Sequence, residues 1–590
     1  MKMKNIIYLL VIALILPLLL GCEDFLDTRS YTTKDGGSFP KTPDDANQLV
    51  TGIYAQFNQI GPMADYFFLS DHMSDDRFGG GGENDKSIQA ISHLMYANPD
   101  EFGWYWSGRY TGIARANVAL DALKGMEEYK GKSQKIGEAK FLRAHWYFEL
   151  VQLLGDIPLV TEVPQNAEEA KKIPPQSTQD EIFTQIATDL WEAYNEMDAT
   201  SYKSFPSGTA TKWAAAGLLA RVYLFYTGFY GKDALPREGG SVSKADVVAA
   251  LELCMDKTKS GHDLVTDFRQ LWGYSNTATG KDYPFTADLM NKGLSYLEGS
   301  DNQEVIFAVK FTNVGKWWPG GLVQYSNQIP TFSGFRQQGD YSNLFPITEG
   351  WGFGPVNTKL WTQWKNDDPN DIRRIASIFN LEDEAPNPSK FTWGGDSQME
   401  ETGLWQKKMT AIGAWTSGPG STLLQSFIIH PDYLNTYLTR NDYQLDHGCD
   451  VIRIRFADIL LMHSELTRTV GGINRVRARA GLPPIGSYSL EALQKERRYE
   501  LAFEGLRWGD IRRWGIAEEV LGTIYGVDIC NYERWTIMKP QSPGGVAERY
   551  RATKGFFNKP RRELDLSNGA YTQNAGWDTP AANFIKWLDE

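Results

Sequence analysis

Cysteine is scarce in this chain: four residues in 590, at positions 22, 254, 449 and 530. That spacing excludes a disulfide-stapled scaffold and any Cys-x-x-Cys site, and the last three read as small apolar core residues. Catalytic signatures are also missing. No Gly-x-Ser-x-Gly or His-Glu-x-x-His occurs, and Gly-Lys-Ser at 131–133 lacks the glycine that a phosphate loop carries five residues earlier. Positive charge is in deficit, with 60 Lys and Arg against 73 Asp and Glu and a net charge of -13. So acidic a body argues against nucleic acid or anionic lipid as its main partner. Long apolar runs are confined to Ile6–Leu20, short of the about 20 residues a bilayer span needs.

What is present begins at that run. Lys2 and Lys4 precede it and only Pro17 interrupts it, the pattern of a secretory signal. It ends in Leu19-Leu20-Gly21-Cys22, which resembles a bacterial lipobox, the alternative being an unmodified signal anchor. A lipobox predicts a signal peptide at 1–21 and acylation of Cys22 as the new N-terminus. One acyl chain holds a protein weakly and several hold it stably, so a triacylated Cys22 would tether a large polar body. Glu23 and Asp24 resemble the acidic residues that follow the cysteine in surface-exported lipoproteins of Bacteroidetes.

Helical periodicity dominates both ends. In 138–154, Ala139, Leu142, Trp146, Leu150 and Leu153 form one apolar stripe; Phe141, Ala144, Phe148 and Val151 form a second. Two stripes demand neighbours on two sides, as in bundles or stacked helical pairs. Segments 110–123, 178–197, 209–226 and 244–257 follow the same rule, and Ala214–Ala220 is rich in small residues that let backbones approach. Tetratricopeptide-like stacking is the expectation, although that repeat's full signature does not recur at a fixed spacing. Segments 450–466, 472–482 and 489–515 are predicted helices near the C-terminus, with Ser489 as an N-cap. Between about 260 and 430 the periodicity is lost, and 303–311 is the one clear strand. Nine of the 19 tryptophans fall there, between Trp272 and Trp415, so packing of the helical core does not account for most of them.

The stretches CEDFLD, YTGIARANVAL, EAKFLRAHWYFELVQLLGDIPLV, TKWAAAGLLARVYLF, VIRIRFADILLM, INRVRARAGL and ERRYELAFEGLRWGDIRRWG occur in that order between Cys22 and Gly515. As an ordered set they resemble the SusD/RagB family of Bacteroidetes outer-membrane lipoproteins. The resemblance implies a mainly α fold, in which tetratricopeptide-like helical pairs form a scaffold under a loop-rich variable region with a few short strands. It divides the chain into a lipoprotein signal peptide at 1–21, an N-terminal helical region at 22–240, a variable ligand-binding region at 241–440 and a C-terminal helical region at 441–590, intertwined as one body. It implies a non-enzymatic, lipid-anchored, surface-exposed outer-membrane protein. Such a protein binds oligosaccharides, or in some members peptides, and passes them uncleaved to a SusC-like TonB-dependent transporter. One segment departs: in LLMHSELTRTVGGINRVRARAGL the link is shorter than the family's, which weighs against the usual helix pair there.

Two carboxylate groups invite a sharper reading. Glu496, Glu500 and Glu504 recur every four residues, and Glu500 with Glu504 would be the pair of a surface glycoside hydrolase. Three like charges on one helix face need counter-charges, available in Arg497, Arg498, Arg507, Arg512 and Arg513 and, from the adjacent segment, Arg453 and Arg455. An arginine-held carboxylate has a lowered pKa and is a poor general acid, so an ion network is the expectation. Asp367, Asp368 and Asp371 could chelate a structural calcium, but they lack EF-hand spacing and read first as a solvated acidic turn. No other cofactor is expected.

Aromatic loops are the better binding candidates. Sugar rings stack their C–H faces on flat side chains while polar groups satisfy the hydroxyls, at low entropic cost. Trp317 and Trp318 precede Pro-Gly-Gly, and Tyr325, Asn327 and Arg336 follow, with Trp351 as a rim. Trp104 and Trp106 stand at the start of a helix, and Asp76, Arg77 and Phe78 lie in a glycine-rich stretch that reads as a flexible ligand loop. Each cluster has a plain alternative: the rings cap the core, and the loop is a mobile surface segment.

Overall fold

The computed structural model describes residues 39–312, 326–424 and 447–587. Cys22, the signal peptide, Trp317, Trp318 and Tyr325 lie outside the described residues.

Helices form where caps and periodicity agree. Thr42 caps Pro43–Tyr54 in a capping box with Asp45, and Thr178 does the same for Gln179–Glu196 with Glu181. Gly103–Gly125, Lys132–Leu154, Gln179–Glu196, Lys212–Tyr230 and Lys244–Met255 follow, each packed on the one before, and Lys244–Met255 packs on Phe456–Thr467. This is the stepwise stacking of helical pairs that the small residues imply. The two-striped helix is the innermost: from Phe141 to Leu154 every residue is buried. Its charged residues are therefore paired, Arg143 with Asp189 at 2.7 Å and Glu149 with Arg109 at 2.6 Å. Gly112 lets the neighbouring helix approach, since a Cβ there would sit 2.5 Å from Trp146 Nε1.

Three predicted elements differ. The 450–466 segment is a strand, Val451–Arg455, followed by the Phe456–Thr467 helix. The strand pairs antiparallel with Val305–Val309, joining Val451 to Val309 and Arg455 to Val305. Its β-branched residues at 451, 452 and 454 favour the extended form, with Arg453 and Arg455 turned to buried acids. The 489–515 segment is two helices, Leu490–Glu500 and Arg507–Arg513, separated by a turn in which Phe503 and Gly505 adopt positive φ. Gly505 packs on Phe67, where a Cβ would lie 2.8 Å from Phe67 Cα. Finally, the shortened link still makes a helix pair, Phe456–Thr467 against Gly471–Arg479. It closes because Gly472 has no side chain: a Cβ would meet Leu460 O at 2.1 Å.

The middle of the chain contains short strands and small local cores. One gathers Phe268, Trp272, Tyr274 and Trp415; another Phe335, Phe379 and Trp405. Trp364 stacks on Tyr499 at 4.5 Å and 6°. Many of the tryptophans thus serve local packing. Among the described residues no helix is long and apolar enough to cross a membrane.

Candidate functional site

The carboxylate triplet is an ion network. Glu500 accepts from Arg373 at 2.9 Å, Arg455 at 2.5 Å and also Arg479; Glu504 accepts from Arg455 and Lys408, each at 2.7 Å. Glu496 pairs with Arg373 and Arg477. Burial alone would raise the Glu500 pKa, but Arg479, Arg455 and Arg373 outweigh it and hold the carboxyl well below the usual range. Arg455 and Lys408 lower Glu504 against burial in the same way. Glu500 is fully buried, and Glu504 borders a narrow cavity of about 80 Å³, room for a few waters rather than a glycan. Neither residue is an accessible general acid. The arginines that follow on 497–513 mostly serve other acids: Arg497 pairs with Asp458 and Asp510, and Arg513 with Glu465.

The glycine-rich stretch 69–85 is largely interior, which corrects the expectation of a mobile ligand loop. Asp76 accepts from Arg498 at 2.6 and 2.8 Å, and Asp75 from both Arg498 and Arg507 at 2.8 Å. Arg77 donates to Gly354 O at 2.9 Å and Phe353 O at 3.2 Å, and Phe78 is buried. Gly80 and Gly81 thread past residues 352–354 so closely that a Cβ on Gly80 would lie 2.4 Å from Gly352 O. Burial and charge pairing therefore withhold Asp76, Arg77 and Phe78 from a ligand in this structure.

Other expected residues separate. Trp104 and Trp106 sit in the first turn of the Gly103–Gly125 helix, about 200° apart around its axis. Trp106 packs between Tyr110 and Tyr571, while Trp104 is 82% exposed. Asn327 is buried, donating to Cys449 O at 2.9 Å and accepting from Ile329 N at 3.0 Å. The acidic turn is not solvated as a unit: Asp367 accepts from Tyr499 OH at 2.6 Å, Asp368 lies 3.6 Å from Arg477, and Asp371 accepts from Trp364 Nε1 at 2.9 Å and pairs with Arg373. Among the described residues no group of three ligating side chains converges.

Two of the expected residues do come together. Phe335–Arg336 and Glu349–Gly350 pair in parallel, bringing Arg336 and Trp351 to one polar cleft of about 290 Å³, also lined by Asp85, Gln337, Glu349 and Asp396. Gly334 and Gly350 make this possible, since a Cβ on Gly350 would stand 2.4 Å from Gly334 Cα. The guanidinium is fixed on every side: Nε donates to Asp396 O at 2.9 Å, Nη1 to Trp351 O at 3.1 Å, and Nη2 pairs with Asp396 Oδ2 at 2.9 Å. Asp85 lies 3.5 Å away. Trp351 is half-buried on Phe332, ring centres 4.6 Å apart.

The backbone around this cleft is strained. Gln337, Asp396, Ser397 and Glu400 all adopt positive φ without being glycine. Each such residue costs about 1–3 kcal/mol and persists only where neighbours enforce it, as functional sites often require. Gln338 supplies part of that enforcement through reciprocal bonds with Thr392, at 3.0 and 2.9 Å. The guanidinium and carboxylates of this almost wholly polar lining can satisfy sugar hydroxyls, and the half-buried Trp351 ring stands at its edge. Asp85, Gln337, Glu349 and Asp396 escaped the sequence reading, because isolated polar loop residues carry no periodic signal; only the glycines at 334–354 mark the place.

A wider groove of about 810 Å³ runs between Pro43–Tyr54 and Gly103–Gly125, lined by Leu49, Trp106, Tyr110, Ala114 and Val118. It is mostly apolar, and its Arg115 is occupied by Gly52 O at 2.8 Å. Gln48, Ser107, Thr111 and Glu563 supply its polar part.

Two family models match the chain: SusD-like_3, described as "Starch-binding associating with outer membrane", over 24–224, and the SusD family over 303–577. A SusD-like protein of Bacteroides ovatus is 24% identical over 72% of this chain and 68% of its own. SusD-like protein P25 of Formosa agariphila is 24% identical over 97% of this chain and 100% of its own. Among solved structures, a laminarin binding SusD-like protein superposes with TM-score 0.67 at 25% identity, covering 91% of this chain and 100% of that one. A surface glycan-binding protein A from Bacteroides thetaiotaomicron in complex with laminarihexaose superposes with TM-score 0.64 at 19% identity, covering 90% and 100%.

Proposed function

We propose a glycan-binding role for this chain, which belongs to the SusD/RagB family. It is a binding protein and not an enzyme; its buried glutamates hold the fold together. The observation that carries the reading is the Arg336–Trp351 cleft, where a supported indole and a fully tethered guanidinium meet on strained backbone. The ligand rests one sugar face on Trp351, and Arg336, Gln337 and Asp396 take its hydroxyls. Three carboxylates, Asp85, Glu349 and Asp396, against one guanidinium favour a neutral glycan over a uronic-acid or sulfated one. Relatives bound to laminarihexaose and to a xylogluco-oligosaccharide support the ligand class.

The family is outer-membrane associated. The finer reading is that acylated Cys22 anchors the chain facing outward, and that it delivers its glycan to a SusC-like TonB-dependent transporter. A glycan array on residues 23–590 with the Trp351→Ala variant in parallel tests the site. Retained binding by the variant would remove Trp351 from it. An array without hits, together with peptides co-purifying from the native complex, would favour a peptide ligand instead.

A further inference from the structure

Beyond the cleft, a second aromatic surface stands three residues along the chain from Asp396, at Trp393. The strands Asp528–Asn531 and Arg534–Ile537 form a hairpin whose two-residue loop is Tyr532-Glu533. Both loop residues have positive φ, at 55° and 65°, where such turns ordinarily take Asn-Gly. The tip is forced from outside. Tyr532 N donates to Gln398 O at 3.0 Å, Glu400 N donates to Asn531 Oδ1 at 2.6 Å, and Cys530 exchanges backbone bonds with Glu401 at 2.8 and 3.0 Å. Gly394 passes so near that a Cβ would lie 2.1 Å from Glu533 N.

What this scaffolding presents is indole. Trp535 is 56% exposed, and Tyr532 and Ile537 beside it are exposed as well. The hairpin's buried residues are Ile529 and Cys530, on the first strand, so Trp535 has little packing duty of its own. Its one ring neighbour among the described residues is Trp393, centre to centre 4.6 Å and tilted 57°, and Trp393 is propped edge-on by Phe391 at 4.9 Å. An exposed apolar patch rimmed by polar groups marks a binding surface, and here Thr392, Glu533 and Arg534 supply the rim. The patch is continuous with the cleft through residues 393–398: Asp396 holds Arg336, Gln398 donates to Gly352 O at 2.8 Å, and a Cβ on Gly395 would sit 2.9 Å from Gln337 O.

We propose that Trp393 and Trp535 form a second sugar-stacking platform that continues the Arg336–Trp351 cleft, so that the chain grips a neutral polysaccharide along several successive sugar units. The inference rests on the glycan reading of the cleft. A short oligosaccharide fills the cleft alone; only a longer chain reaches the hairpin.

The test compares residues 23–590 with the Trp535→Ala and Trp351→Ala variants in affinity electrophoresis against laminarin, xyloglucan, starch and mannan. Calorimetry with the matched di- and hexasaccharides of whichever polymer is retained completes the set. Trp535→Ala is expected to weaken the polymer and hexasaccharide about 3- to 10-fold, the scale of one lost stacking contact, and to leave the disaccharide unchanged. Trp535→Phe restores most of the loss, and the thermal transition of each variant reports that the hairpin still folds. Polymer affinity equal to the parent chain in Trp535→Ala, with Trp351→Ala impaired, overturns the platform while the cleft stands, and leaves the indole pair as a protein contact. A parent chain that retains none of the polymers overturns both.

Discussion

Arg455 grips Glu504 with two parallel bonds, Nε to Oε2 at 2.7 Å and Nη2 to Oε1 at 2.9 Å, in a place closed to solvent. The same guanidinium reaches Glu500 and Glu304, so it is the hub that joins the 305–309 and 451–455 strand pair to the C-terminal helices. Removing one member of a buried pair strands the other's charge. Arg455→Ala is therefore expected to lower stability by about 3–5 kcal/mol, read as the shift in a urea transition. Glu504→Gln should be milder, because the amide still accepts a bond. A transition unchanged in Arg455→Ala would refute the hub.

Acid and base act on different carboxyls. Glu500 is held below its ordinary pKa, so its contribution is full above the unfolded value near 4.3 and is lost as pH falls from there through the lower folded value. Glu401 is the opposite case: burial pushes its pKa up to about 8, opposed only by the Gly394 N–H bond at 2.8 Å. It stays protonated when folded and ionises near 4.3 when unfolded, so stability declines as pH rises from about 4 to 8. Glu401→Gln is expected to flatten that decline, with the largest relative gain at pH 8. Melting curves from pH 4 to 9 check it; parallel profiles for parent and variant would sink the assignment.

Gly82 offers a selective handle on the cleft. A Cβ there would come within 2.6 Å of Arg336 Nη2 and 2.9 Å of its Cζ, so the guanidinium would have to shift from its partners. Gly82→Ala should therefore weaken glycan binding several-fold by displacing the guanidinium from Asp396 and Trp351, with a stability loss from those bonds that a melting curve reads separately. Equal affinity in the alanine variant would show that the position of Arg336 is irrelevant to the ligand.

Charge selectivity follows from the same lining. Asp396→Asn should lessen the bias against uronic-acid glycans, measured as the ratio of affinities for a neutral and a uronate oligosaccharide. A ratio unmoved by the substitution removes the carboxylate from the site.

The long helices were legible because burial on two sides leaves two stripes in the sequence, as at Phe141–Leu154. The Val451–Arg455 strand was misread because five residues running into an apolar helix look like its first turn. The cleft was only half legible. Arg336 and Trp351 stood out as residue types in a glycine-rich loop, whereas Asp85 joins them from 251 positions away, a proximity that no local pattern encodes. The 69–85 stretch misled for a related reason: four consecutive glycines suit a mobile loop, and equally suit two backbones that must pass without side chains between them.

The bond from Arg498 to Asp76 spans 422 positions of sequence. Helices 103–255 pack stepwise on one another and can begin to assemble early, but the Asp75 and Asp76 carboxylates meet their arginines only when 498 and 507 have emerged. High contact order of this kind slows folding and prolongs exposure of half-made surfaces. A chain truncated before Arg498 should therefore keep its local helices yet leave 69–85 open to limited proteolysis, together with the Gly82 support of Arg336. The grip on the ligand would then be the last part of the molecule to mature, and during folding the chain would pass through a long interval in which it is helical and unable to bind.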